Sequence, residues 1–181
     1  MDRLDNSYRP GESASRAGSN SFPYTWRSQA LGAAVSVLLV LAAAATGSVS
    51  ASSAASRYDS LTQPDWAPPS WLFGPVWTVL YALIATSAWW LWRARPWGEV
   101  RVPIMLYVVQ LVLNGLWTPL FFGAEQRGLA FVEIIALTIA VAVTVIAFAR
   151  HSRTAALLLM PYFAWTVFAA SLNLSVWRLN T

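Results

Sequence analysis

Aromatic side chains and prolines are concentrated in one short stretch, residues 64–81. These eighteen residues include three Trp, four Pro, one Phe and one Tyr. Proline fixes φ and has no backbone N–H, so the stretch is expected to begin as a stiff, non-helical approach to an apolar helix. Trp presents a broad flat surface with one polar N–H, which suits the water–lipid boundary or a flat ligand. One or two Trp would indicate an aromatic belt, whereas this density favours a binding surface.

Three apolar segments carry aromatic or amide side chains on one predicted helical face. Phe73, Trp77 and Tyr81 recur at four-residue steps, so they share a face. The other two segments carry Gln110, Asn114, Trp117 and Phe121, and Trp165, Ala169, Leu172 and Asn173. Amides at mid-membrane depth rarely face lipid, because they need a partner or a cavity. The sequence therefore predicts an aromatic cavity, in which the small side chain of Ala169 leaves space for a flat group.

The composition indicates an integral membrane protein, since 57% of the residues are hydrophobic and only 11% are charged. A span needs about 20 apolar residues to cross roughly 30 Å of hydrocarbon. Five segments meet this requirement, namely Gln29–Val49, Leu72–Trp92, Pro103–Gly123, Leu129–Ala149 and Thr154–Leu174. The predicted fold is an all-α bundle of five transmembrane helices in residues 29–181, with a long structured loop at residues 50–71. Residues 1–28 are polar and are expected to form a disordered cytoplasmic tail.

The distribution of Arg predicts the orientation in the membrane. All twelve basic residues are Arg, a composition that hints at a bacterial genome rich in GC. Nine Arg lie in the tail and in the loops after the second and fourth spans, and three lie on the opposite side. By the positive-inside rule, the N-terminus is cytoplasmic, and the first loop and the C-terminus are external. A cleaved signal peptide is the alternative for the first span, but the apolar run is longer than such a segment usually has.

Few residues offer conventional catalytic or metal chemistry. The chain has no cysteine, which excludes disulfides and thiolate sites, and its only histidine, His151, is expected to be solvated in a loop. Glu133 is the only acid inside a predicted span, and we expect it to reach the interface, with a polar anchor or proton-sensitive site as the alternative. Pro119 and Pro161 are each expected to kink a helix, and together they favour a cavity. No metal site is predicted.

Small residues recur at four-residue steps in the first span, for example Gly32 and Ser36. This spacing allows helices to approach closely in lipid. The sequence leaves open whether the contact lies within the bundle or between subunits.

Three long motifs occur in order along the chain. The first is Tyr58-x-x-Leu61-x-x-Pro64-x-Trp66-x-Pro68-Pro69-x-Trp71-x-x-Gly74-Pro75-Val76-Trp77-x-x-Leu80-Tyr81. The second is Gln110-Leu111-x-Leu113-Asn114-x-x-Trp117-x-Pro119-x-Phe121-Phe122-Gly123-Ala124-x-Gln126-x-Gly128. The third is Pro161-Tyr162-x-x-Trp165-x-x-Phe168, continued by Leu172-Asn173-x-x-Val176-Trp177-Arg178. With these motifs, residues 26–179 closely resemble the TspO/MBR family, which includes the mitochondrial translocator protein and the bacterial tryptophan-rich sensory proteins.

The resemblance implies a five-helix bundle, often a homodimer, that binds tetrapyrroles such as protoporphyrin IX and haem as ligands and requires no cofactor. Relatives also bind sterols and isoquinoline-carboxamide drugs. Carried over by motif, the pocket residues are Tyr58 in the loop, Trp77, Tyr81, Asn114, Trp117, Trp165 and Ala169. The C-terminal segment lacks the Tyr of the sterol-associated pattern in animal relatives, which argues against specific sterol binding.

Three functions are compatible with these residues. The leading hypothesis is a tetrapyrrole-binding protein of the bacterial cell membrane, used in porphyrin traffic, scavenging or stress sensing. The second is an enzyme that degrades porphyrin with light and oxygen, in which Trp77 or Trp165 is oxidised; no nucleophile–base pair supports other catalysis. The third is a carrier of porphyrin or lipid, which would be passive because repeats, broken helices and buried coupling charges are lacking.

Overall fold

The computed structural model of the protein describes residues 26–181, with side chains at residues 29–43 and 54–181. The predicted disorder of residues 1–28 falls almost entirely on residues outside the described range. Every regular element in the described part is helical. The elements are α1 (Trp26–Asp59), a short 3-10 helix (Ser70–Leu72), α2 (Phe73–Ala94), α3 (Trp97–Thr118), a π-helical turn (Pro119–Gly123), α4 (Arg127–Ala149) and α5 (Arg153–Leu179).

Among the residues that the structure describes, four helical segments are long and apolar enough to cross a membrane. They are Ser70–Ala94, Trp97–Gly123, Arg127–Ala149 and Arg153–Leu179. In α1 the apolar stretch Gln29–Ala43 is described, and the rest of the predicted first span, Gln29–Val49, lies outside the residues whose side chains are described. The structure thus confirms the all-helical fold and agrees with four of the predicted spans to within a few residues at most ends.

Short connections place consecutive helices side by side. Two residues join α2 to α3, and three residues join the π-helical turn to α4 and α4 to α5. Helix α5 packs against α4 and α2, while α3 packs against α1 and α4. Because the connections alternate between the two ends of the bundle, the start of α2 and the ends of α3 and α5 meet at the same end.

Helix α1 is longer than predicted. It continues to Asp59, so the connection to the 3-10 helix is residues 60–69 rather than residues 50–71. The segment before Asp59 is rich in Ala and Ser, and the first helix-breaking proline comes only at Pro64. Its 34 residues span roughly 51 Å at about 1.5 Å per residue, more than the ~30 Å of hydrocarbon. Tyr58 therefore lies in the last turn of α1, and its predicted place in a loop is wrong.

The two interior prolines have different effects on their helices. At Pro119 the α-helix gives way to a wider turn, in which the N–H of Ala124 donates to the carbonyl of Pro119 over 2.8 Å. Pro161 lies inside α5, which remains one continuous helix. The wide turn after α3 directs Phe121 and Phe122 back towards the bundle interior.

The small residues of α1 form a contact inside the bundle. A Cβ on Gly32 would lie 2.6 Å from the indole of Trp92 on α2, so α1 and α2 approach too closely there for a larger residue. The hydroxyl of Ser36 donates to the Gly32 carbonyl over 2.8 Å and is thereby satisfied. For Gly32 and Ser36, the close contact therefore lies within the bundle, an alternative that the spacing alone left open.

The prediction that the Glu133 side chain reaches the membrane interface is wrong. Its exposed fraction is 9%, and neither carboxylate oxygen has a hydrogen-bond partner among the described residues. The side chain lies on the buried face of α4 together with Ala130, Ile134 and Leu137, and that position outweighs its closeness to the helix end. His151 is half-buried in the α4–α5 turn, where its Nδ1 lies 2.9 Å from the carbonyl of Ala147.

Candidate functional site: an aromatic cavity

A cavity of about 470 Å³ opens at the end of the bundle where α2 begins and α5 ends. Every α-helix contributes to its wall, and nine of its twenty-two lining residues are aromatic. The aromatic residues are Tyr58, Trp71, Phe73, Trp77, Tyr81, Trp117, Phe121, Phe122 and Trp165. A volume of this size, bounded mainly by apolar surface with a few polar groups, is typical of a small-molecule site.

All seven residues proposed from the sequence line this one cavity. They are Tyr58, Trp77, Tyr81, Asn114, Trp117, Trp165 and Ala169. They come from α1, α2, α3 and α5, and only the packing of these helices brings them together. Their role in binding a ligand stays a prediction.

The entrance is built by the end of α1 and the start of α2. The ring of Tyr58 meets Phe73 edge to face at 5.1 Å between centroids, and its hydroxyl donates to the carbonyl of Pro68 over 3.0 Å. Burial, followed by the neighbouring Asp59 carboxylate, raises the pKa of this hydroxyl above its ordinary value. The hydroxyl therefore remains a hydrogen-bond donor, and it ties the Pro-rich loop to α1.

The inner end of the cavity is closed by a polar pair. Tyr81 on α2 donates a hydrogen bond to Oδ1 of Asn114 on α3 over 3.0 Å. The Tyr81 ring also lies 5.1 Å from that of Trp77, with 31° between the planes. Trp77 and Tyr81 thus form a continuous aromatic wall, as their four-residue spacing predicted.

A second polar pair orients the ring of Trp117. Its Nε1 donates to Oδ1 of Asn173 over 3.1 Å, and Nδ2 of Asn173 donates to the carbonyl of Arg127 over 3.0 Å. Asn173 therefore connects α3, α4 and α5 at one point. The Trp117 ring stacks on Phe121 at 4.9 Å between centroids, which holds it as a flat wall.

Helix α5 contributes a wall with a recess. Trp165 contacts Phe73 at 6.0 Å and Phe168 at 5.2 Å between ring centroids. Ala169, one turn further along, also lines the cavity. The small side chain beside a large ring is the arrangement that the sequence predicted for a flat ligand.

Sequence reasoning missed the contribution of α4. Ile134 and Leu137 line the cavity on α4. Because most of this helix is apolar on every face, a spacing of three residues did not single out this pair. Trp71 also lines the entrance, although 70% of it is exposed. Its position in the Trp- and Pro-rich stretch was a usable signal, whereas nothing in the pattern of α4 identified its inner face.

The residues that line the cavity are uncharged, and charged side chains lie at its rim. Arg57 donates through Nη1 to the carbonyl of Phe122 and lies 4.0 Å from Glu125. On the other side, Asp59 accepts a hydrogen bond from Ser70 over 3.1 Å. Within the described residues, no cluster of His, Asp or Glu has the arrangement of a metal site.

The C-terminus of α5 fastens the loop of residues 60–69 at the end of the bundle where the cavity opens. The backbone N–H of Thr62 donates to Oδ1 of Asn180 over 3.0 Å, and Nδ2 of Asn180 donates to the Thr62 carbonyl over 2.9 Å. Trp66 of the same loop contacts Phe168 of α5 at 5.8 Å between ring centroids. These contacts hold the loop against the C-terminal half of α5.

Residues 34–178 match the sequence pattern of the TspO/MBR family. This range includes all the lining residues of the cavity. The chain belongs to the TspO/MBR family. With its four helices long enough to cross a membrane, it is an integral membrane protein of that family.

Relatives of the TspO/MBR family match most of the chain. The chain is 42% identical over 146 residues to the tryptophan-rich protein TspO of Archaeoglobus fulgidus, and the match covers 80% of this chain and 94% of that protein. It is 40% identical over 154 residues to the tryptophan-rich protein TspO of Chlorobaculum tepidum, covering 84% and 98%. The translocator protein of Homo sapiens is 42% identical over 125 residues, covering 68% and 74%.

Proposed function

We propose that this protein binds tetrapyrroles such as protoporphyrin IX and haem in the aromatic cavity, for porphyrin traffic, scavenging or stress sensing. The observation that carries the proposal is the cavity itself, about 470 Å³ in volume and walled by nine aromatic side chains. Flat conjugated rings gain both apolar burial and ring–ring contact in such a site. The relatives named as translocator and sensory proteins support a role in moving or detecting a small molecule.

The side chains of the cavity favour recognition by shape and stacking over metal coordination. Haem iron in proteins is usually held by His, Met, Cys or Tyr. Tyr58 and Tyr81 are the lining residues of those types, and both hydroxyls already donate hydrogen bonds within the protein. The metal-free porphyrin is therefore expected to bind about as tightly as haem.

The proposed arrangement in the membrane follows from the distribution of Arg. In it, α1 supplies the fifth crossing, the N-terminus lies in the cytoplasm, and the cavity opens towards the external side of a bacterial cell membrane. The protein is expected to form a homodimer, by analogy with the family it belongs to.

Titration with protoporphyrin IX in detergent, followed by quenching of Trp fluorescence, tests the proposal. Trp77→Phe keeps a stacking face but loses area and the indole N–H, so it should weaken binding several-fold. Trp97→Phe is the matched control, because Trp97 lies at the start of α3 and does not line the cavity. Saturable binding that only the Trp77 variant weakens is expected. Failure of the parent protein to bind either porphyrin or haem would contradict the proposal.

Illumination of the porphyrin-bound samples from this titration distinguishes binding from degradation. Samples with bound porphyrin are kept in the dark or illuminated in the presence of oxygen, and their absorption spectra are compared. A binding protein returns the unchanged porphyrin spectrum in both samples. A new absorbing product formed only with light, oxygen and protein would instead support the enzyme hypothesis.

A further inference from the structure

Several buried side-chain polar atoms of the bundle have no hydrogen-bond partner among the described residues. They include both Oε1 and Nε2 of Gln110, the hydroxyl of Tyr107 and both carboxylate oxygens of Glu133, while the hydroxyl of Tyr162 makes only a weak interaction with the Asn114 side chain. The exposed fractions are 1% for Tyr107, 1% for Gln110 and 0% for Tyr162. Buried polar side chains nearly always have a partner, and each one without a partner calls for an explanation.

Gln110, Tyr107 and Tyr162 adjoin residues of the cavity wall but do not line the cavity themselves. On α3, Gln110 is one helical turn from Asn114, which lines the cavity, and Tyr107 follows on the same buried face. The ring of Tyr162 on α5 lies 6.3 Å from that of Trp77 between centroids. Tyr162 also interacts electrostatically with Tyr81, Glu133 and Tyr107, and its hydroxyl interacts with the side chain of Asn114. These three polar side chains therefore lie deeper in the bundle than the hydrogen bond between Tyr81 and Asn114, which closes the inner end of the cavity.

The carboxamide of Gln110 indicates which ligand group could form hydrogen bonds with it. A carboxamide presents an N–H donor and a carbonyl acceptor side by side, and here both atoms are unpartnered. A carboxylic acid offers an acceptor and a donor at the same spacing, so it can make two parallel hydrogen bonds to the amide edge. The hydroxyls of Tyr107 and Tyr162 can each add a donor to the same oxygen atoms.

We propose that Gln110, with Tyr107 and Tyr162, binds one protonated carboxyl group of a ligand whose ring system occupies the aromatic cavity. The inference rests on the proposed function, since tetrapyrroles such as protoporphyrin IX carry propionic acid side chains. The neutral acid is specified because the cavity lining has no charged side chain, and a buried carboxylate without a cation is strongly unfavourable. The acid that interacts electrostatically with Tyr162 from α4 is Glu133, which is itself buried.

The entry of a carboxyl group requires the Tyr81–Asn114 hydrogen bond to open. The distance from Asn114 to Gln110 along α3 is one turn, about 5.4 Å, which a short flexible propionic acid chain can cover. The carboxyl group can then replace the lost partner of Tyr81 or of Asn114. The macrocycle would remain between the aromatic walls while one edge faces the bundle centre.

The test compares protoporphyrin IX with its dimethyl ester, which keeps the macrocycle but has no acidic O–H. Gln110→Met preserves the size of the side chain and removes both polar atoms. It should weaken protoporphyrin IX binding by about tenfold and change binding of the ester by less than about twofold. Tyr162→Phe is a second variant with the same expected pattern and a smaller effect. Gln126→Met is the matched control, because Gln126 is exposed and does not line the cavity.

Unfolding in the same detergent separates a binding role from a structural one. Because Gln110 has no internal partner, its replacement by Met should leave the midpoint of thermal unfolding unchanged or raise it. Equal weakening of the acid and the ester, unchanged binding of both, or a lowered midpoint would overturn this assignment alone. Failure of the parent protein to bind either porphyrin would overturn the proposed function and this assignment with it.

Discussion

Tyr81 and Asn114 close the inner end of the aromatic cavity through a hydrogen bond of 3.0 Å between the Tyr81 hydroxyl and Asn114 Oδ1. The two residues come from different helices, α2 and α3, and both line the cavity. On one side of this bond lie the aromatic walls, and on the other lie the unpartnered polar atoms of the core. The pair therefore separates the apolar part of the site from its polar interior.

The energetic coupling of this pair can be measured by a double-mutant cycle. Tyr81→Phe and Asn114→Ala, singly and together, should show a coupling of about 0.5–1.5 kcal/mol in the free energy of unfolding, the usual worth of one internal hydrogen bond. Denaturant unfolding in detergent supplies the four free energies. A coupling near zero would show that the two side chains act independently in the folded protein.

Ala169→Thr should lower porphyrin affinity by roughly ten- to a hundredfold. The substitution adds a methyl and a hydroxyl to the cavity wall, and overfilling a packed site costs about 1–3 kcal/mol. Thr has few χ1 alternatives in a helix with which to move aside. Titration by Trp fluorescence measures the effect.

Ala164→Thr is the control for the Ala169 variant, since Ala164 is exposed on the same helix. It should bind porphyrin like the parent protein. If both variants bind normally while Trp77→Phe abolishes binding, the ligand does not lie against α5.

Gly128→Ala should destabilise the bundle by about 1–3 kcal/mol, as overpacking of a core does. A Cβ at this position would lie 2.8 Å from the Trp177 ring, so α4 and α5 would have to separate near the cavity. Gly98→Ala is a matched helical control with nothing within 4 Å of the added Cβ, and it should be neutral or slightly stabilising. Unfolding curves of equal midpoint for the two variants would contradict the close packing of Gly128.

Asn180→Ala should accelerate ligand release about three- to tenfold. The substitution removes two hydrogen bonds to Thr62, each worth about 1 kcal/mol, and so loosens the loop at the end of the bundle where the cavity opens. Stopped-flow displacement of porphyrin measures the rate. Thr181→Ala, at the neighbouring exposed position, should release ligand at the parental rate, and an equal rate in both variants would show that the loop does not limit release.

The orientation in the membrane is testable because the chain has no cysteine. Single cysteines at Ser13 and Thr181 are labelled in spheroplasts with an impermeant maleimide. Position 181 should react and position 13 should react only after permeabilisation, as the distribution of Arg predicts. The reverse pattern would show that the N-terminus is external.

The motif residues were predictable because helical periodicity relates sequence spacing directly to a face. The four-residue steps of Phe73, Trp77 and Tyr81 gave their shared wall without any tertiary information. The same logic failed for Glu133, because closeness to a helix end does not reveal which face of α4 is covered by its neighbours. It also failed for Tyr58, since nothing local marks where a run of Ala and Ser stops being helical.

The sequence by itself determined the class of protein, four of its apolar helices and six of the seven proposed cavity-lining side chains, while Tyr58 was supplied by the family resemblance. Those features depend on residue type and short-range spacing, which the chain carries locally. Only the tertiary structure decided which partners the polar groups found. Tyr81 meets Asn114, and Trp117 meets Asn173, while both amide atoms of Gln110 have no partner among the described residues. Such pairings depend on the rotation and depth of each helix in the bundle, and packing across all five helices sets these together.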